Sequence, residues 1–165
     1  MHRINLISTN KWRSSIIIFL IIILAIAVIT SYIFALYIIP ETAVGRYVLE
    51  YIYYIFIVVF SIIMYFFITG VYYYRIKIDS YIVYITAYPI IFSQIKTRAF
   101  LEISHDMLID YTFLNKSLAF NTALVLRIKQ HNRKLVAKRF NLTLISKKEI
   151  ERISNILNEI IAKNN

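Results

Sequence analysis

From Ser14 to Ile39 the chain reads SSIIIFLIIILAIAVITSYIFALYII, without one charged residue. At roughly 1.5 Å of rise per residue, a helix over this run covers the roughly 30 Å hydrocarbon core of a bilayer with length to spare for tilt. A second run from Tyr47 to Val71, YVLEYIYYIFIVVFSIIMYFFITGV, is broken only by Glu50. A carboxylate is costly at mid-bilayer, so Glu50, one turn into the run and within i,i+4 reach of Arg46, is expected at the interface. The connecting PETAVGR is short: Pro40 stops the first helix and Gly45 permits the backbone to reverse. The pattern predicts a two-helix transmembrane hairpin over 14–71, with spans of about 14–39 and 47–71. The first run is too long for the apolar region of a cleaved leader and lacks its small-residue cleavage pattern, so the helix is expected to be retained.

Past the second run the period changes from helical to two. In YRIKID, Tyr74, Ile76 and Ile78 alternate with Arg75, Lys77 and Asp79; a DS turn follows, and a second β-rich run begins at Tyr81. Further strands are predicted over Pro89–Ile95, Ala99–Ile103, Leu108–Phe113, Ser117–Phe120, Leu124–Gln130 and Leu135–Ile145. Their short polar connections fit antiparallel pairing, since parallel strands need long crossovers. In RFNLTL, Phe140, Leu142 and Leu144 point one way and Arg139, Asn141 and Thr143 the other. Ser146 and Glu149 then stand at capping-box spacing and open an amphipathic helix over about 147–162, with Ile150, Ile153, Leu157 and Ile160 along its apolar stripe.

Several short strands closed by one C-terminal amphipathic helix, as in KRFNLTLISKKEIERISNIL, follow the element order of a pleckstrin-homology (PH)-like fold. Together with the preceding helical hairpin, this order resembles that of bacterial membrane-anchored PH-domain proteins. The resemblance implies a membrane α-helical hairpin plus an α+β cytoplasmic domain over 72–165, an antiparallel PH-like β-sandwich or barrel capped by one helix. It implies a non-catalytic interaction or scaffold protein and transfers no site residues; an accessory subunit of a larger inner-membrane complex is the role expected here.

Composition agrees with the pattern. The 165 residues are 59% hydrophobic with two glycines and two prolines, and the mean hydropathy is +0.64. Positions 71–165 carry 15 of the 19 Lys and Arg residues, which marks that part as water-facing. Arg3, Lys11 and Arg13 precede the first span and Arg75 and Lys77 follow the second, while the turn between them offers Arg46 against Glu41. By the positive-inside rule the basic N-terminus, residues 1–13, and the C-terminal domain are both cytoplasmic, as expected of an integral protein of a bacterial inner membrane. The absence of cysteine removes disulfides, thiolate catalysis and sulfur-ligated metals.

Little in the sequence suggests catalysis. His105 and Asp106 are adjacent, with Glu102 and Asp110 nearby, but one histidine supplies neither a converging ligand set nor a triad. No phosphate-binding glycine loop is present, and no enzyme activity, metal or cofactor is expected. The basic run RIKQHNRKLVAKR is the candidate contact surface: Arg127, Lys129, Arg133, Lys134, Lys138 and Arg139 around one β-hairpin, facing anionic lipid or a protein partner. Aromatic residues are not interleaved with this cluster, which weighs against nucleic acid. A partner protein or a second copy of the chain is the expected company. The alternative is a subunit of a transport or energy-transducing complex whose helices are the working part.

Overall fold

In the computed structural model, residues 5–37, 42–90, 99–115, 121–130 and 134–164 are described. They group into two compact units: residues 15–68, and a second unit built from two separated stretches, up to Ser14 and from Thr69 onward.

The unit spanning 15–68 contains most of α1 (Lys11–Tyr37) and α2 (Ala43–Thr69). Both helices are long and apolar enough to cross a membrane, over Lys11–Phe34 and Leu49–Thr69, and these stretches bury 0% and 6% of their residues within the protein. A core helix of a soluble protein would be mostly covered. Here Phe19, Leu20, Ile29, Phe56 and Phe60 are all exposed. The hydroxyls along the helices turn inward on their own backbones: Thr30 donates to the Ile26 carbonyl, Ser31 to Ala27 at 2.7 Å and Ser61 to Ile57 at 2.7 Å. Such back-bonding gives these three hydroxyls acceptors within their own helices, which suits a hydrocarbon surrounding.

α2 starts earlier than its apolar run suggests. The Thr42 hydroxyl accepts the Gly45 N–H at 3.1 Å and the Thr42 carbonyl accepts the Arg46 N–H at 3.1 Å, an N-cap that draws Gly45 into the first helical turn. Gly45 is therefore helical and does not form the reversal expected of it; Pro40 and Glu41 lie outside the described residues.

The second unit is α+β. One antiparallel sheet has the order β1-β2-β3-β4 and the other β5-β6-β7. The strands are β1 (Leu6–Thr9), β2 (Tyr72–Ile78), β3 (Ile82–Pro89), β4 (Ala99–Ser104), β5 (Leu108–Asn115), β6 (Asn121–Lys129) and β7 (Leu135–Thr143), and α3 (Lys147–Asn164) ends the order. A single 3₁₀ turn at His105–Met107 joins β4 to β5. The predicted strand segments at 91–95 and 117–120 lie outside the described residues, and Pro89 is the last residue of β3.

The alternation expected of β2 is present: Tyr74, Ile76 and Ile78 are wholly buried, and Arg75 between them is exposed. They meet Val83 and Ile85 of β3, Leu124 and Leu126 of β6, Phe140 and Leu142 of β7, and Ile153, Leu157 and Ile160 of α3 in one core. Leu144 leaves the strand pattern. At φ 55 it occupies the left-handed region and turns the chain from β7 toward α3.

The sequence gives little sign of β1. Leu6–Thr9 pairs antiparallel with β2, Leu6 opposite Ile78 and Thr9 opposite Arg75. The residues expected to be a basic tail thus supply the edge strand of the larger sheet, and the chain's excursion through α1 and α2 begins and ends on adjacent strands.

Candidate functional site

The two places where the chain leaves and re-enters the α+β unit are joined by buried polar side chains. Asn10, 1% exposed, sits between β1 and α1. Its carbonyl accepts the Ser14 N–H at 2.9 Å and the Ser14 hydroxyl at 2.8 Å, so it caps α1. Its side chain donates to the Tyr72 carbonyl at 2.8 Å and the Thr143 carbonyl at 2.9 Å, and accepts the Tyr74 N–H at 2.9 Å. Asn10 therefore bonds α1 through its backbone carbonyl and β2 and β7 through its side-chain amide, both N–H groups of which are used.

The return point is held from the other side. The Thr143 hydroxyl accepts the Tyr72 N–H at 2.7 Å and donates to the Asn121 side-chain carbonyl. The Asn121 amide donates in turn to the carbonyls of Thr69 and Gly70, at 2.8 and 2.9 Å. These are carbonyls at the end of α2 that the helix itself cannot satisfy. Gly70 ends α2 at φ +73, in the left-handed conformation that glycine adopts without penalty.

Beside this polar core, Arg13 of α1 reaches α3. Its Nη1 donates to Glu149 Oε2 at 2.6 Å and to the Leu144 carbonyl at 3.2 Å. Glu149 also forms the expected capping box: its carboxylate accepts the Ser146 N–H at 2.9 Å and the Ser146 hydroxyl at 2.7 Å, and Ser146 Oγ accepts the Glu149 N–H at 3.2 Å. Partial burial alone would push the Glu149 carboxyl upward. The bonds from Ser146 and Arg13 outweigh it and hold the group below the ordinary carboxylate value. Nearby Tyr74 is fully buried, and burial together with the Glu149 charge pushes its phenol up to about 12.

Two hollows flank Glu149 and Arg152. A smaller one of about 190 Å³ opens between β1 and α3, lined by Ser8, Thr9 and Ile153 among others. A larger one of about 470 Å³ is lined by Arg13, Lys148, Glu151 and Asn155 together with the shared pair.

The basic run predicted as a contact surface is divided. Arg127 and Lys129 of β6 are exposed, opposite Ala137 and Leu135, and Arg139 lies on the same outward face opposite Val125. Lys138 stands opposite buried Leu126 and so on the other face, where its Nζ donates to the Phe100 carbonyl at 3.2 Å. Lys134 precedes β7, and Arg133 lies outside the described residues. Arg127 is further offset by Asp110 at 3.4 Å. Strand alternation is the reason: a run of bases in a β-ribbon is dealt to both faces.

His105 and Asp106 lie in the 3₁₀ turn. The Nε2 of His105 is buried without a hydrogen-bond partner among the described residues. Burial lowers its imidazole below the ordinary value, against an opposing pull from the Asp79 backbone.

Arg13 and Asn10 are the residues that sequence reading misses. Asn10 carries no signal in the sequence and Arg13 reads only as a topogenic charge, because their side-chain partners lie between 62 and 136 positions away. Compared with family models, curated proteins and solved structures, this chain finds no match.

Proposed function

We propose that this chain is a non-catalytic, membrane-anchored interaction module: a PH-like domain with a transmembrane helical hairpin inserted between its first and second strands. The observation that carries this reading is the pairing of β1 with β2 across the whole helical excursion. A hairpin that leaves and rejoins one folded unit serves as an anchor with both flanks on the same face of the membrane, and the basic flanks make that face the cytoplasmic one. Removal of α1 as a leader would take β1 and Asn10 with it, so the fold favours a retained helix. The 4+3 order of antiparallel strands with one closing helix supports the PH-like assignment.

In this reading the domain presents a surface to a protein partner within a larger inner-membrane complex, and the outward face bearing Arg127, Lys129 and Arg139 is the contact we assign. An open apolar groove of about 530 Å³ between α1 and α2, lined in part by Val28, Tyr32, Tyr53 and Phe56, favours a second reading. There the helices pack against another transmembrane helix and are themselves the working part, as in a transport or energy-transducing complex.

Purification of the full chain in mild detergent, with cross-linking before extraction, separates the two. Cross-links from the partner are expected on the β6–β7 face, and Arg127→Glu with Arg139→Glu should reduce them without loss of the protein. Cross-links confined to residues 15–68 would replace the interaction-module reading with the helical one.

A further inference from the structure

We infer, on the membrane-anchored reading above, that the larger groove beside Glu149 holds the phosphate of an anionic phospholipid headgroup from the leaflet that α1 enters. Arg13 is the last charged residue before the uncharged run that starts at Ser14. In a spanning helix a guanidinium at that point lies at headgroup level. Because Arg13 Nη1 is 2.6 Å from Glu149 Oε2, the first turn of α3 is drawn to the same level.

The charges in the groove are arranged for an anion. Arg13 and Glu149 offset one another, and the Glu149 carboxylate is further occupied by Ser146. Lys148 and Arg152 remain, both exposed and with no carboxylate engaging either among the described residues. They stand at i,i+4 on α3, where two like charges repel across one helical turn. An anion seated between them relieves that repulsion. Glu151 also lines the groove, so Lys148 and Arg152 against Glu151 leave one surplus positive charge, equal and opposite to the charge of one phosphodiester.

Distance along the strand separates the end of α2 from the basic run of β6. Asn121, which bonds the end of α2, starts β6, whereas Arg127 and Lys129 are six and eight residues further along. At roughly 3.3 Å per residue that is about 20 and 26 Å away, beyond two Debye lengths at physiological salt. Arg13, by contrast, adjoins the uncharged run directly.

The test uses the full chain in nanodiscs of phosphatidylcholine alone or of an equimolar mixture with phosphatidylglycerol. Native mass spectrometry reads the lipid retained, and the single tryptophan, Trp12, reads membrane contact through quenching by brominated lipid. The wild-type protein is expected to retain phosphatidylglycerol selectively. Lys148→Glu with Arg152→Glu should weaken that selectivity on the order of tenfold, and Arg127→Glu with Lys129→Glu should leave it unchanged. Quenched Trp12 without selectivity, or equal loss from both pairs, overturns the headgroup site while leaving the anchor intact. Displacement of the lipid by excess inorganic phosphate overturns the assignment to lipid. Unquenched Trp12 overturns the anchored reading itself.

Discussion

Asn10→Leu is expected to cost the α+β unit about 3–6 kcal/mol, because it leaves three buried backbone groups, the Tyr74 N–H and the carbonyls of Tyr72 and Thr143, without partners. That is a large part of the 5–15 kcal/mol by which a domain of ordinary stability is folded. The loss is spread over β2 and β7 because one side chain serves both. Asn10→Asp is a sharper probe. It keeps the acceptor for Tyr74 but turns a second carboxylate oxygen on two carbonyls that need a donor, so it should also destabilise strongly. Hydrogen exchange in detergent should show both variants losing protection together in β2 and β7. Unchanged protection of β7 in Asn10→Leu would mean that the amide does not tie the two sheets.

Ile153→Asp should be nearly as damaging. The side chain is 0% exposed in the core beneath α3, and a carboxylate placed there has no cation to meet it, at a cost of about 3–5 kcal/mol. Arg152→Asp, one residue earlier and exposed, should change stability by about 0.5 kcal/mol or less. Thermal unfolding of the two variants in the same detergent compares them directly. Equal tolerance would remove α3 from the core.

Several parts of this structure are legible in the sequence because their causes are local. The uncharged runs, the alternation through Tyr74, Ile76 and Ile78, the Ser146–Glu149 capping box and the Ile153, Leu157, Ile160 stripe each depend on neighbours within about one or two turns. β1 is not legible for the opposite reason. Four residues are too few for periodicity to distinguish from a tail, and what makes Leu6–Thr9 a strand is β2, on the far side of the helical excursion. The same distance hides Arg13 from Glu149 and Asn10 from Thr143. Glycine favours reversals, which points to a turn at Gly45, and the nearby Thr42 cap decides against it. The basic residues are close in sequence but not on one surface, because strand alternation sends Lys138 to the opposite face from Arg127 and Arg139.

The central claim is that a membrane-crossing hairpin interrupts a domain whose two parts lie on one side. Since the chain has no native cysteine, single substitutions can report it without background. Asn5→Cys before β1, Val44→Cys at the start of α2 and Thr112→Cys on the exposed face of β5 sample the three segments. With a membrane-impermeant maleimide applied to intact cells, labelling is expected at 44 alone, with 5 and 112 reacting only after the membrane is opened. Labelling of 5 but not 112 from outside would contradict the account, because two parts of one sheet cannot fold together from opposite sides of a membrane.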